Sequence, residues 1–412
     1  MAFYNSKKSQ VVMLGGRRSG KSSILATIVY SIEHQTRGDL FTVKKTECVE
    51  EDGGLGAQLY EKIRELSGFI NSPLRKIKNS QFIVDMTPNN GRSTYSIYTS
   101  INGKKDAVFE FLDVPGEDMQ EKIYDDEKGC EVHNDKFDTL LSKVKNSDVI
   151  VIAIDTPYLM ETDENTNDIY NRVSEIRKLC SSIEPSNDKD KRLIILCPVK
   201  CEKYVLHGMA NEVTEKVCVA YKDLINNLVG KDVDIWVMPI QTAGGIEFAN
   251  MMDASICYSN GKKTGDLGSI IKKTNQFVKR TGATTNLSFF DDPFDEEEDG
   301  KVKLWQEGKD SRGNNVKLWL NPDKYYISGT TIPLAWYRTN SAGFAPALCE
   351  QPAYHIIRFL SNKAYLNRSF WEKFKDLFGK NLNDYLQLAK QMTEEGLIKE
   401  DGDGFKKITN II

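Results

Sequence analysis

The sequence lacks any long run of apolar residues. Its longest runs, at 149–154 and 193–197, are far shorter than the roughly 20 residues of a membrane-spanning helix. The first ten residues, MAFYNSKKSQ, contain no apolar stretch of the kind that forms the centre of a signal peptide. We therefore expect a cytoplasmic protein that has no membrane span.

Metal-binding and disulfide patterns are also missing. The 412 residues include eight cysteines and four histidines, and no two cysteines have the CxxC spacing that is typical of zinc or redox motifs. Cys197 and Cys201 stand close together, but no second pair follows to complete a tetrahedral site. Reduced thiols in a cytosolic protein are the interpretation that we adopt.

A strong charge of either sign is missing as well. The chain has 55 Lys+Arg against 59 Asp+Glu, which gives a formal net charge of −4. No global basic field is therefore expected, and nucleic acid is not an expected partner. The hydrophobic share of 40% excludes a wholly disordered chain, and the length exceeds that of one minimal domain.

Strand and helix patterns alternate along much of the chain. Buried strands are predicted at 10–14, 149–154, 193–197 and 233–240, and helices at 22–34, 167–181 and 210–228. Two further strands, at 94–101 and 107–112, are joined by an Asn-Gly turn and predict a hairpin. This alternation is typical of an α/β fold, so we expect a mostly parallel sheet with one antiparallel edge strand, flanked by helices.

The first predicted strand leads into a glycine-rich loop. The sequence GGRRSGKS at 15–22 fits the P-loop pattern GxxxxGK[ST] in full, between a strand and a helix. Glycines let the backbone wrap a phosphate, and the loop amides and the helix amino terminus face the anion. The candidate nucleotide-binding residues here are Gly15, Arg17, Arg18, Ser19, Gly20, Lys21, Ser22 and Ser23. The loop predicts a P-loop NTPase without choosing between a kinase, an ATPase and a GTPase.

The charged and hydroxyl side chains of this loop have distinct predicted roles. Lys21 would neutralise the β- and γ-phosphates, and the Ser22 hydroxyl would ligate Mg²⁺. Arg17 and Arg18 lie inside the loop, where two interpretations are open. Either a guanidinium contacts phosphate, or both side chains face outward to a protein partner.

A second motif follows the strand predicted at 107–112. The sequence DVPGE places Asp113 at a strand end, where it would hold Mg²⁺ through water. The amide of Gly116 would meet the γ-phosphate, so that the loop responds to hydrolysis. Lys21, Gly116 and Glu117 are the candidate catalytic residues.

Taken together, the P-loop and the DVPGE segment resemble the Ras-like GTPases of the TRAFAC class. The resemblance implies two base-recognition motifs, and both have counterparts. In VKCE, Lys200 would cover the base, and Glu202, where the family has Asp, would accept hydrogen bonds from guanine N1–H and the exocyclic amine. In QTAG, the amide of Ala243, beside Thr242, would donate to guanine O6.

Three features of this resemblance leave alternatives open. The family has Asn or Thr where Val199 stands, so a side chain that bridges the base loop and the P-loop is lost. Glu117 stands where the family has Gln, and it either supports slow or regulated hydrolysis or is an exposed switch charge. The switch-one threonine that completes the Mg²⁺ site is Thr36, Thr42 or Thr46, between which the sequence does not decide.

The resemblance covers about 10–248. At a finer level, the arginine-bearing P-loop, DVPGE, VKCE and the late CEQP helix start at Cys349 resemble bacterial double-GTPase families that are associated with conflict and defence systems. We expect a GTPase domain at 1–281 with an insertion at about 50–90, an acidic loop and β-hairpin insertion at 282–345, and a helical segment at 346–412 whose first helix packs on the sheet. A separate C-terminal domain from about 282 is the alternative.

The expected function is Mg²⁺-dependent hydrolysis of GTP to GDP and phosphate by a nucleotide-controlled switch. GTP would order the segments 36–54 and 113–135, and hydrolysis would release them. The implied partners are guanine nucleotide, a protein effector or regulator and, in a nucleotide-dependent homodimer, a second copy of the chain. Two alternatives stay open, namely a pseudo-GTPase assembly module with little turnover and a P-loop ATPase or kinase.

Overall fold

The chain divides into two compact units, one made of Met1–Asn71, Thr87–Gly245 and Ala342–Ile412 and the other of Ser72–Met86 and Ile246–Ser341. The computed structural model describes residues 10–16, 19–34, 93–101, 104–114, 116–125, 130–184, 191–259, 262–263, 285–286, 297–298, 301–302, 305–309, 315–319, 326–366, 389–390 and 392–410. The insertion predicted at about 50–90 lies outside these residues, as do Arg17, Arg18 and the three candidate switch threonines. The domain boundaries predicted at 281 and 345 stay predictions.

Strands occur in both units. In chain order they are β1 (Gln10–Leu14), β2 (Ser93–Ile101), β3 (Lys104–Asp113), β4 (Lys122–Asp125), β5 (Cys130–His133), β6 (Val149–Asp155), β7 (Arg192–Val199), β8 (Val233–Val237), β9 (Gly244–Ser259), β10 (Lys262–Lys263), β11 (Thr285–Asn286), β12 (Glu297–Glu298), β13 (Lys301–Val302), β14 (Trp305–Lys309), β15 (Asn315–Trp319), β16 (Tyr326–Phe344) and β17 (Lys406–Ile408).

Seven of these strands form one sheet in the first unit, in the order β17-β8-β7-β6-β1-β3-β2. The five central strands are parallel, whereas β2 pairs antiparallel with β3 and β17 pairs antiparallel with β8. The predicted α/β fold with a mostly parallel sheet is therefore confirmed. The prediction of a single antiparallel edge strand is wrong, because the short strand β17 covers the second edge.

Helices cover both faces of this sheet. They are α1 (Lys21–His34), α2 (Asp135–Asn146), α3 (Thr156–Glu161), α4 (Glu164–Asn171), α5 (Val173–Ser181), α6 (Glu202–Leu206), α7 (Ala210–Ala220), α8 (Lys222–Leu228) and α9 (Gln351–Leu366). Side chains of α1 and α9 join one core cluster, and side chains of α2, α5, α7 and α8 join the other. The sheet is thus buried on both faces, which explains why its central strands read as continuous apolar runs.

Strand β6 shows this two-sided burial most clearly. Its alternate residues Val149, Val151 and Ala153 pack with α1 and α9. Ile150, Ile152 and Ile154 point the other way, toward α2 and α5. Every residue of β6 is buried, including Asp155 at its carboxyl end. A carboxylate in that position needs a specific partner, since burial of an isolated charge is costly.

Two helices predicted as continuous are interrupted. The 167–181 pattern falls on α4 and α5, which meet at Arg172 in a left-handed conformation with φ of 56°. The 210–228 pattern falls on α7 and α8, which meet at Tyr221. The residues Val213, Val217, Tyr221, Leu224 and Leu228 are all buried across the second junction. Because the apolar positions keep their helical spacing across the junction, the sequence gives no sign that the helix is interrupted there.

The second unit contains antiparallel strands in its described parts. The long strands β9 and β16 belong to a three-stranded sheet with β10. Strands β14 and β15 form a hairpin in which Trp305 lies opposite Trp319. Phe248 and Tyr337 contact each other edge to face, with ring centroids 6.2 Å apart.

A buried histidine joins α9 to the sheet in the first unit. His355 is 2% exposed, and its ring meets Trp236 of β8 at a centroid distance of 4.5 Å. Its Nδ1 faces a guanidinium nitrogen of Arg358 at 3.3 Å, and Nε2 lies 2.9 Å from the carbonyl oxygen of Lys399. Because a guanidinium can only donate, we assign the proton to Nε2, which donates to Lys399. Burial lowers the pKa of His355 to about 4, and the positive charge of Arg358 acts in the same direction.

This pKa predicts acid sensitivity. The ordinary value is 6.5, so the histidine's contribution to stability is complete above that pH and is lost as the pH falls toward 4. The loss amounts to at most about 3 kcal/mol. In urea unfolding at pH 7.5 and pH 4.5, His355→Gln, which keeps a donor and an acceptor, is expected to lose less stability than the wild type. Equal losses in the two proteins would contradict the assignment.

Candidate functional site

The strand order reverses direction at one place in the sheet. From β1 the chain first builds β3 and β2 on one side and then β6, β7 and β8 on the other. In open α/β sheets a crevice forms outside the carboxyl ends of the strands at such a point, and ligands bind there. The loops that leave β1, β3, β7 and β8 at this edge carry the four predicted motifs. The topology therefore gathers them at one end of the sheet.

The phosphate loop is folded around its own lysine. Lys21 begins α1, is 6% exposed, and its Nζ donates to the carbonyl oxygens of Gly15 at 2.8 Å and Gly16 at 2.9 Å. The backbone turns back at Ser19, whose amide donates to the Gly16 carbonyl. The ammonium is thus held inside the loop, where two of its hydrogen bonds go to backbone carbonyl oxygens. An anion that enters the loop would meet this charge together with the amino terminus of α1.

Glycine is required at three positions of this loop for different reasons. Gly15 has φ of +150° and Gly20 has φ of +98°, conformations that side-chain-bearing residues rarely adopt. At Gly16 the reason is space, because a β-carbon there would lie 1.7 Å from the carbonyl oxygen of Tyr170 in α4. At Gly20 a β-carbon would also approach the Val199 side chain to 3.1 Å. The loop is therefore packed directly against the ends of α4 and β7.

Gly16→Ala is expected to destabilise the first unit. The added methyl group meets a backbone oxygen, which cannot rotate away, so α4 or the loop must shift at a cost of about 1–3 kcal/mol. Gly230→Ala is a comparison variant with the opposite cause, since Gly230 has φ of +88° with nothing within 4 Å of an added β-carbon. It measures a backbone cost of about 1 kcal/mol that Gly16 does not carry. Urea unfolding measures both, and an unchanged stability of Gly16→Ala would contradict the packing.

The hydroxyl residues of the loop lie at the start of α1. Ser22 and Ser23 are half-buried in its first turn, and Ser19 is 1% exposed. Among the residues that the structure describes, the Ser19 hydroxyl has no hydrogen-bond partner, and neither have Asp155 Oδ1 and the Thr156 hydroxyl at the end of β6. Buried polar atoms normally have a partner. Three such atoms on the loops that leave β1 and β6 indicate that this edge accepts water, an ion or a ligand.

The DVPGE segment follows β3, which lies directly beside β1. Asp113 is the last residue of β3 and pairs with Met13 of β1 in the parallel register. Gly116 is buried and begins a 3-10 turn, Gly116–Met119, that also includes Glu117. The side chains of Asp113 and Glu117 lie outside the described atoms, so their predicted roles stay predictions.

The two loops that were predicted to recognise a base contact each other. Glu202, 3% exposed at the start of α6, accepts hydrogen bonds from the amides of Ala243 at 2.9 Å and Gly244 at 3.4 Å. Burial raises the pKa of Glu202, and these amides oppose the shift. Thr242 is buried beside Ala243. The carboxylate and the amide that were predicted to contact one guanine are thus brought together, and in this structure they bind each other.

Lys200 has a different partner. It adopts a left-handed conformation with φ of 57°, and its Nζ forms an ion pair with Asp155 at the carboxyl end of β6. Burial raises the pKa of Asp155, and the positive charge of Lys200 opposes the shift. A lysine held by a buried carboxylate has a fixed direction, which leaves its aliphatic stem as the part available to cover a flat ligand.

Sequence reasoning missed Asp155 and the residue that holds its backbone, Asn171. Asn171 is fully buried at the end of α4, and its Oδ1 accepts from the Asp155 amide at 2.6 Å. Its Nδ2 donates to the Asp155 carbonyl at 3.1 Å and to Asn167 Oδ1 at 2.8 Å. The only sequence signal was an Asp that ends an apolar run two strands before VKCE, which by itself also fits a helix cap.

Protein atoms could supply only part of the coordination shell of a magnesium ion at this site. In the described part of the chain, no group of three or more His, Cys, Asp or Glu side chains could hold a metal ion. Mg²⁺ in phosphate sites commonly takes one or two protein ligands and completes its shell with waters and phosphate oxygens. Ser22 and Asp113, one hydroxyl and one carboxylate on neighbouring loops, have the oxygen chemistry for that arrangement.

Comparison with family models finds no match for this chain, and a search of curated proteins finds none either. Among the helices that the structure describes, none combines the length and apolar character needed to cross a membrane.

Proposed function

We propose that this chain binds guanine nucleotide with Mg²⁺ and hydrolyses GTP to GDP and phosphate, as a Ras-like P-loop switch that acts on protein partners. The observation that carries the proposal is the position of Lys21. Its buried ammonium lies inside a complete P-loop motif, next to the point where the strand order reverses. A triphosphate placed there would meet a fixed positive charge and the amino terminus of α1.

Guanine is the base that best fits the loops after β7 and β8. Glu202 is a buried carboxylate, and guanine offers it two donors, N1–H and the exocyclic amine, whereas adenine offers no such pair. The Ala243 amide, now bound to Glu202, is a donor for guanine O6. Binding would exchange one internal hydrogen bond for several to the base. That exchange favours guanine over adenine, because adenine offers no matching set of donors and acceptors in return for the hydrogen bond that is broken.

In the proposed hydrolysis, each residue around the phosphates has a separate role. Ser22 would hold Mg²⁺ directly and Asp113 would hold it through water, and the ion would supply charge neutralisation at the β- and γ-phosphate oxygens when it is bound. Lys21 stabilises charge on the same oxygens, and the Gly116 amide binds the γ-phosphate. Glu117 orients the attacking water, a role that fits a slow or partner-stimulated enzyme because its carboxylate also repels the phosphate.

A switch on protein partners follows from this arrangement. Contact between Gly116 and the γ-phosphate would order the segment after β3, and hydrolysis would release it. The resemblance to bacterial double-GTPase families extends the proposal to a cytoplasmic protein effector or regulator, to bacterial defence and to a nucleotide-dependent homodimer. Nucleic acid is not assigned as a partner, because the formal net charge is −4.

A binding module with little turnover is the second candidate. The hydrogen bond from Ala243 to Glu202 favours it, because a base subsite that is satisfied without ligand suits slow exchange and stable assembly. A phosphate-release assay with 1 mM GTP or ATP, with Mg²⁺ or with EDTA, separates the candidates. We expect Mg²⁺-dependent release from GTP. Tight GTP binding without release would favour the binding module, and release from ATP alone would overturn the guanine proposal.

A further inference from the structure

The side chain at 199 makes only apolar contact with the phosphate loop. Val199 ends β7, is fully buried, and its Cγ2 lies 3.1 Å from the position of a β-carbon on Gly20. A valine has no donor or acceptor with which to fix the loop that follows. Any polar connection between the phosphate loop and the VKCE loop must therefore come from other residues.

A connection that is steric at one end and polar at the other runs through the end of α4. At one end, the carbonyl oxygen of Tyr170 presses against Gly16, where it leaves no room for a β-carbon. In the middle, the next residue, Asn171, accepts from the amide of Asp155 and donates to its carbonyl. At the other end, the carboxylate of Asp155 pairs with Lys200. The contacts form an uninterrupted path from the phosphate loop to the VKCE loop.

Burial and hydrogen bonds fix the positions of the residues on this path. Asn171 is fully buried and Asp155 is 3% exposed, so both act in a medium where hydrogen bonds are strong and unpaired groups are costly. Asn167 accepts the second Nδ2 hydrogen of Asn171, which fixes the direction of its amide. The left-handed residue Arg172 ends α4 immediately afterwards, so α4 stops where its last turn meets Gly16.

We propose that Asn171 and Asp155 are positioning residues that set the distance and orientation between the phosphate subsite and the base subsite, in place of a polar side chain at 199. The inference rests on the proposed nucleotide binding and extends it. Asn171 touches no part of the nucleotide in this account. It acts through the backbone of Asp155, through Lys200 and through the contact of Tyr170 with Gly16.

A ligand that spans both subsites is sensitive to their separation, whereas a ligand that fills one subsite is not. Asn171→Ala should therefore weaken binding of GDP with Mg²⁺ by about 10- to 100-fold, as expected for the loss of buried hydrogen bonds that align two halves of a site. Binding of inorganic pyrophosphate with Mg²⁺ should change by less than about threefold. The ratio of the two dissociation constants is the quantity that the proposal predicts.

Isothermal titration calorimetry on the full chain measures that ratio. Asn165→Ala is the matched control, because Asn165 is exposed on the same helix, and its ratio should equal that of the wild type. Asp155→Asn, which keeps the backbone contacts of Asn171 but removes the charge that holds Lys200, should also lower the affinity for GDP and not that for pyrophosphate. If Asn171→Ala does not fold, as judged by circular dichroism, Asp155→Asn carries the test.

The outcomes are distinct. If the ratio of the two dissociation constants changes in both variants and stays unchanged in the control, the positioning role of Asn171 and Asp155 is supported. Equal losses for GDP and pyrophosphate, or no loss for either, would show that Asn171 and Asp155 serve only folding and would overturn it. If the wild type binds pyrophosphate but not GDP, the proposed function fails, and this inference fails with it.

Discussion

Lys21→Ala is expected to abolish GTP turnover and to lower nucleotide affinity by about 100- to 1,000-fold, the usual cost of removing a buried charge from a charge-paired site. The ammonium is the one side-chain cation that the described part of the P-loop holds inside the loop, where it bonds to Gly15 and Gly16. Without it, the triphosphate would rely on backbone amides and Mg²⁺ alone. Fluorescence titration with a labelled GDP and phosphate release measure the two effects.

The control for this variant is Lys145→Ala. Lys145 is half-exposed on α2, where it pairs with the exposed Glu184, so its removal should leave affinity and turnover within about twofold of the wild type. Lys21→Ala must keep the wild-type circular dichroism spectrum for the comparison to hold. If the folded variant still binds labelled GDP as tightly as the wild type, the loop does not bind phosphate through this lysine.

Glu202→Gln is expected to change which base the protein prefers. A carboxylate can accept from two donors of guanine, whereas a carboxamide offers one acceptor and one donor. Xanthine replaces the exocyclic amine of guanine by a carbonyl, which matches that donor. We therefore expect affinity for GDP to fall by about 100-fold and affinity for xanthosine diphosphate to rise above it. Competition against a labelled nucleotide ranks the two, and an unchanged ranking would remove Glu202 from base recognition.

The same substitution has a consequence for stability without any ligand. Because burial raises the pKa of Glu202 above its ordinary value, the stability it contributes is present below that ordinary value and is lost as the pH rises through the raised one. The Gln variant keeps an oxygen for the Ala243 amide and has no charge to bury. Urea unfolding at pH 5 and pH 8 should therefore show a smaller loss in the variant than in the wild type.

The parallel strands at the centre of the sheet were predictable from the sequence. Burial on both faces of the sheet makes each of them a short, continuous apolar run. Strand β17 was not predictable in the same way. It has three residues, of which Lys406 and Lys407 are exposed and Ile408 alone is buried. Its pairing with β8 is decided by tertiary contact, including the ion pair of Lys407 with Asp234. A strand this short has no hydrophobic pattern of its own from which its pairing could be predicted.

The candidate site was likewise predictable only in part. The order of the four motifs, each after a strand, placed Lys21, Gly116, Glu202 and Ala243 at one edge, because parallel strands share their carboxyl ends. Which side chains meet within that edge depends on loop lengths and on α4. The pairing of Lys200 with Asp155, and the direct hydrogen bond between Ala243 and Glu202, arise from tertiary packing that no local sequence pattern encodes.

The most direct test of the central claim is competition by unlabelled GTP and ATP against a labelled GDP on the wild-type chain with Mg²⁺. We expect GTP to displace the label at a concentration at least about 100-fold lower than ATP, since adenine offers Glu202 and the Ala243 amide no matching set of hydrogen bonds in exchange for the one they make with each other. Equal displacement by the two nucleotides, or stronger displacement by ATP, would contradict it.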